Sequence, residues 1–126
     1  MLNFNSIMIG SAQPKVLGEF YEKVFGRKAD MSDGDWFGWQ VGSSFFNVGE
    51  HSEIKGESKE PQRIMLNLET DEIEKEYERI KSSGAEVVKE LYEMDGMTGM
   101  WIATFSDPDG NYFQLMTPWE NPDKSN

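Results

Sequence analysis

Side chains able to do covalent, acid–base or metal chemistry are few in this chain of 126 residues. It has no cysteine, which rules out disulfides, thiolate metal sites and a cysteine nucleophile. The single histidine, His51, falls in the charged stretch GEHSEIKGESKEPQ, and no serine has another imidazole to activate it. The sequence is richer in side chains suited to holding a molecule. Trp36, Phe37 and Trp39 crowd one segment, and Trp101 stands at the matching place in another. Planar rings offer stacking faces, and Asp33 and Asp35 beside them favour a cationic guest. The run MDGMTGM, Met94 to Met100, combines glycine hinges with thioether side chains that adapt to irregular shapes, the make-up of a lid. Asp35 and Glu93 are loop carboxylates near these features, with no pattern that makes either a general base.

Such residues need elements to position them. FNSIMIG reads as a strand ending at Gly10; Pro14 suits the first turn of a helix, and Val16, Leu17, Phe20, Tyr21 and Val24 follow a helical period up to Gly26. Arg63 to Leu68 (RIMLNL) reads as another strand. Thr70 is its following N-cap, Ile73, Tyr77 and Ile80 form a buried stripe, Gly84 ends the helix, and Glu86 to Glu90 forms the next strand. DWFGWQVGSSFFNVG and MWIATFSDPDGNYFQLM each read as two strands joined by a glycine-containing turn. In the second turn Asp107 caps through its side chain, Pro108 presets φ and Gly110 accepts a positive φ.

The two halves repeat. Ile7-Met8-Ile9 matches Ile64-Met65-Leu66 at an offset of 57 (64 − 7), which also brings Val16 onto Ile73 and Phe20 onto Tyr77. Two copies of so long a unit indicate a duplicated supersecondary motif rather than a solenoid. The expected fold is α+β, with two tandem βαβββ modules forming a curled mixed sheet. They occupy about 1–50 and 62–118 of one domain, with 51–61 as linker and 119–126 as a flexible tail.

Twenty-three Asp and Glu against 12 Lys and Arg give a net charge of −11, which repels phosphate backbones and excludes nucleic acid as a partner. The first residues lack a basic segment ahead of a long apolar run, and no stretch has the roughly 20 apolar residues of a membrane span. A cytoplasmic protein with no membrane partner is expected.

The duplicated unit, FYEKVFG (Phe20 to Gly26), SSGAEVV (Ser82 to Val88) and SDPDGNYFQLMTP (Ser106 to Pro118) together resemble the vicinal oxygen chelate superfamily of glyoxalase I, bleomycin-resistance proteins and extradiol dioxygenases. The resemblance spans about Asn3 to Pro118. It implies modules that each curl a sheet around a cleft, in a homodimer. It also implies where a metal-using member would carry its His or Glu ligands. The first ligand lies fourteen residues ahead of the FY pair, at Ser6, and its partner at an offset of 57 is Arg63. A further one is the Glu after DPDGNxx, here Gln114; aligning Gly42 with Gly110 sets Phe46 opposite it. None of the four carries an imidazole or a carboxylate, so no metal and no other cofactor is expected.

Strand alternation puts Tyr112, Gln114 and Met116 on one face, which the resemblance implies is the cleft. Ser6 and Met8 face it from the first strand, and Arg63, Met65 and Asn67 from its counterpart. With Trp36, Trp39, Phe46 and Trp101 these are the candidate ligand-binding residues. The expected function is metal-independent binding of a small organic molecule, sequestering a drug or metabolite. The alternatives are a metal-dependent lyase, isomerase or dioxygenase like glyoxalase I with displaced ligands, and a dimeric structural module with a degenerate cleft. Arg63 fits a cationic guest only if it turns to an acidic neighbour; otherwise the guest is zwitterionic or anionic.

Overall fold

Runs of alternating apolar residues, interrupted by glycine turns, give each half of the chain the same elements. The structure, a computed structural model, describes residues 1–118; the tail expected at 119–126 lies outside the described residues. The chain divides into two units, Met1–Glu57 and a second starting at Ser58. The first contains β1 (Ser6–Ser11), α1 (Pro14–Phe25), β2 (Met31–Asp33), β3 (Trp36–Val41) and β4 (Ser44–Glu50). The second contains a 3-10 turn (Pro61–Arg63), β5 (Leu66–Glu69), α2 (Ile73–Ser82), β6 (Glu86–Glu93), β7 (Trp101–Ser106) and β8 (Tyr112–Met116). Each unit is a four-stranded mixed sheet, ordered β1-β4-β3-β2 and β5-β8-β7-β6. In both, the first strand runs parallel to the last and the other pairs are antiparallel. The fold is therefore α+β, with the βαβββ unit occurring twice. No helix among the described residues is long and apolar enough to cross a membrane.

Each helix covers one face of its own sheet. In α1, Pro14 takes the first helical position, where its missing N–H costs nothing, and Gly26 closes the helix with a φ of 73°. Leu17, Tyr21 and Val24 are buried, the Tyr21 ring lies 4.7 Å from that of Phe46, and Phe25 lies 5.4 Å from Trp39. In α2, Tyr77 and Ile80 are buried, with Tyr77 5.6 Å from Phe105, which stacks on Phe113 at 5.4 Å.

The repeat is real, but its spacing differs from the one the apolar triplets suggest. The Ser11 hydroxyl accepts the Gln13 N–H at 2.9 Å, and the Thr70 hydroxyl accepts the Glu72 N–H at 3.0 Å. Their offset is 59 (70 − 11), and the same 59 (66 − 7) relates Ile7, beside Phe46, to Leu66, beside Phe113. Thr70 thus makes a short turn before the helix, and the N-cap is Glu72. Arg63 is not a strand residue: it ends the 3-10 turn, and β5 begins three positions later. The repeat counterpart of Ser6 is Met65, and that of Met8 is Asn67.

The hairpin turns also differ in length. Val41 pairs with Ser44 across two residues, whereas the Asp107 N–H bonds the Asn111 carbonyl across three. The longer turn is held by Asp107, whose carboxylate accepts the N–H groups of Asp109 and Asn111, each at 2.9 Å. Gly110 takes a φ of 78° there. Aligning Gly42 with Gly110 therefore slips the register by one, and a one-residue slip exchanges the faces of a strand. The residue equivalent to Gln114 is Asn47. Phe46 corresponds to Phe113 and belongs to the core.

Candidate binding site

In the second unit Phe105, Phe113 and Leu115 point to α2, so their strand neighbours take the opposite face. On that face Gln114 stands between Asn67 of β5 and Thr104 of β7, while Met116 stands between Glu69 and Ile102. Beyond them the segment between β6 and β7 folds back over the sheet. Its turns are closed by N–H donation from Met97 to the Met94 carbonyl at 3.1 Å and from Met100 to the Met97 carbonyl at 3.0 Å. The Met94 N–H returns to the Met100 carbonyl at 2.8 Å. Between this segment and the sheet lies a cavity of about 450 Å3, bounded by Met94, Met97, Met100, Ile102 and Met116 as apolar wall and by Asn67, Glu69 and Gln114 as polar wall.

The polar groups are arranged to orient rather than to react. The Gln114 side-chain amide donates to the Thr104 hydroxyl at 3.2 Å, which leaves its carbonyl oxygen as an acceptor for a guest. Among the described residues Glu69 is the one ionisable group in the wall and gives it a negative charge. Neutral amide oxygens beside one carboxylate do not fit a divalent metal that is normally held by imidazoles and several carboxylates. Among the described residues no three His, Cys, Asp or Glu side chains are grouped so as to hold a metal ion.

The equivalent face of the first unit is covered by its own side chains. Trp36 Nε1 donates to Asn47 Oδ1 at 3.0 Å, and Asn47 Nδ2 donates to the Ile7 carbonyl at 3.0 Å. The Phe45 ring lies over Gly38 so closely that a Cβ there would stand 2.3 Å from its Cζ, and Trp36 and Met8 lie over Gly49 in the same way. Two glycines thus seat two aromatic rings on the sheet. In the second unit the matching positions carry Thr104 and Met116, and Ile102 replaces Trp36.

The expected site residues accordingly separate. Asn67 and Gln114 line the cavity of the second unit. Tyr112 shares their face, one alternation beyond the cavity wall, and Met65 is half-buried just ahead of β5. Ser6, Met8 and Trp36 belong to the corresponding face of the first unit. Trp39 and Phe46 do not line this cavity: both are buried against α1, Trp39 Nε1 is spent on the Arg27 carbonyl at 3.1 Å, and Trp39 borders only a separate hollow beside α1 with Gly18, Glu22 and Phe37. By strand alternation Trp101 lies on the side of Ala103 and Phe105, away from the cavity, with its backbone N–H bonded to the Thr117 hydroxyl. Arg63 donates from Nε to Glu60 at 3.2 Å in an exposed ion pair and does not face the cavity. Glu69, Ile102, Thr104 and Asn47 escaped the sequence reading. Alternation from Gln114 marks Met116, and alternation from the buried Phe105 would have marked Ile102 and Thr104.

These features can be set beside known proteins. Solved structures with the same fold include a glyoxalase/bleomycin resistance protein from Albidiferax ferrireducens T118, with a TM-score of 0.71 at 17% identity over 91% of this chain and 98% of that one. A glyoxalase/bleomycin resistance protein/dioxygenase family enzyme from Burkholderia phytofirmans PsJN gives 0.69 at 22% identity over 92% and 98%. A glyoxalase-related enzyme from Fulvimarina pelagi gives 0.72 at 14% identity over 94% and 89%. Identities this low establish the fold alone. No curated protein matches the sequence. A family model described as a glyoxalase-like domain matches residues 6–116, from the start of β1 to the end of β8, and the chain therefore belongs to that family within the vicinal oxygen chelate superfamily.

Proposed function

We propose that the second unit binds a small amphipathic organic molecule, neutral or cationic, and does so without the divalent metal of the superfamily's enzymes. The observation that carries this reading is the cavity between β5, β7, β8 and the methionine segment. Its volume of about 450 Å3 falls within the roughly 300–1,000 Å3 typical of ligand pockets. Thioether and aliphatic side chains supply contact area, the Gln114 and Asn67 amides set orientation, and Glu69 selects against anions. Among the described residues the wall holds no imidazole and a single carboxylate, Glu69, and with no second acid–base group beside it the arrangement supports sequestration rather than turnover. On this reading the protein acts as a homodimer, as the superfamily resemblance implies, with the cytoplasm as its expected place, and its charge of −11 enriches cations around it.

The test is a thermal-shift screen of chelator-treated protein against planar cationic and neutral compounds. A binder at 100 times its Kd adds about 2.7 kcal/mol of stability. An Ile102→Trp variant, which places in β7 the ring that the first unit carries at Trp36, should keep its circular dichroism and lose the shift. If no compound shifts the wild type, or the variant responds equally, the reading is wrong. If shifts require an added divalent metal, the metal-enzyme alternative replaces it.

A further inference from the structure

Four of the eight residues that bound the cavity are methionines. Met94, Met97 and Met100 recur at every third position, and Met116 joins them from β8. Spacing alone does not gather three residues, but here the backbone of the loop is coiled by its own hydrogen bonds, from Met97 to Met94, from Met100 to Met97 and from Met94 back to Met100, and all three residues border one cavity. Gly96 and Gly99 permit the turns with φ of 74° and 84°, and the Glu93 carboxylate fixes the second by accepting the Gly99 N–H at 2.9 Å. The Thr117 hydroxyl donates to Met100 Sδ at 3.6 Å and so orients that thioether. Flexible thioethers suit an organic guest, but they also present sulfur lone pairs that leucine would not.

We propose that these four methionines form a binding site for a soft monovalent cation, Cu(I) or its redox-inert counterpart Ag(I). Thioethers are soft ligands that select Cu(I) and leave hard divalent ions to oxygen donors. Glu69, in the same wall and without an ion-pair partner among the described residues, balances the single positive charge. The chain has no cysteine to compete, and its only histidine lies in the first unit. The site goes beyond the organic-ligand reading and does not depend on it, because it needs only the sulfur atoms.

The experiment is a titration of full-length protein, labelled with 13C at the methionine methyls, with Ag(I) nitrate in a chloride-free buffer. The expected result is saturation at one equivalent, with the Met94, Met97, Met100 and Met116 resonances moving. Met8 and Met31, exposed to 52% and 58% against 43% for Met97, should stay in place. Met97→Leu keeps the apolar surface and should weaken Ag(I) binding roughly tenfold or more, whereas Met31→Leu should change nothing. Zn(II) should move no methionine. The proposal fails if Ag(I) does not bind, if Met8 and Met31 move together with the others, if Met97→Leu binds as the wild type does, or if Zn(II) competes.

Discussion

Phe46 and Gln114 provide the sharpest contrast, because aligning the two turn glycines makes them equivalent and the observed register makes them opposites. Phe46 is 6% exposed, with its ring 4.7 Å from Tyr21 and 5.1 Å from Phe25. Its replacement by alanine removes a buried ring from beneath α1, a change that costs about 3–5 kcal/mol. At about 4 °C per kcal/mol for a chain of this length, Tm should fall by ~12–20 °C. Gln114 is half-buried on the other face, and its one side-chain hydrogen bond among the described residues, to Thr104, is worth about 1 kcal/mol. Gln114→Ala should lower stability by no more than that. Urea unfolding followed by tryptophan fluorescence measures both. Ligand binding per folded molecule should survive Phe46→Ala and weaken in Gln114→Ala. Equal stability losses, or a Phe46→Ala loss below about 1 kcal/mol, would show that Phe46 is not in the core and that the register is wrong.

Three further outcomes follow from the same geometry. Asn47→Leu strips the partner from Trp36 Nε1 and from the Ile7 carbonyl, and should destabilise by about 2 kcal/mol or more in the same urea assay, where a neutral effect would contradict the bridge. The Arg79 guanidinium, hydrogen-bonded to Glu76 at 2.8 Å, holds the Glu76 carboxyl below its ordinary value. A lowered folded-state pKa contributes stability above the unfolded value, near 4.5, and loses it as pH falls through the lower folded value. Glu76→Gln should therefore cost up to about 1 kcal/mol at pH 7 and progressively less as pH falls below the unfolded value, and a cost that does not shrink with acidification would refute the pairing. Gln114→Glu adds a second carboxylate to the wall that holds Glu69 and should tighten a cationic probe by about 1 kcal/mol, roughly fivefold, in calorimetry at low salt; weaker binding would count against a cation-tolerant cavity.

Much of the architecture was legible because it rests on local rules. Pro14 and Gly26 bound α1, Gly84 follows α2, and Asp107 with Gly110 builds the turn that the sequence describes. Errors arose where a position depends on counting across a turn. The similar triplets at Ile7 and Ile64 imply 57, but the 3-10 turn at Pro61–Arg63 consumes residues before β5 starts, and the true offset is 59. The difference is even, so Asn67 kept its face, although Arg63 lost its place in the strand. The hairpin alignment erred by one residue, an odd number, and sent Phe46 to the wrong face. The cavity itself was legible only in fragments. Met94 to Met100 reads as a lid and Gln114 as a wall residue, but nothing local indicates that the loop coils through backbone hydrogen bonds between its methionines and borders a cavity with its own sheet.

The most direct measurement of the central claim is a 1H–15N and 13C-methyl shift map of chelator-treated protein titrated with proflavine, a planar cation. Saturable changes should appear at the methyls of Met94, Met97, Met100 and Met116 and at the side-chain amides of Asn67 and Gln114, with Trp39 and Phe46 unaffected. Changes centred on the first unit, or appearing only after a divalent metal is restored, would contradict it.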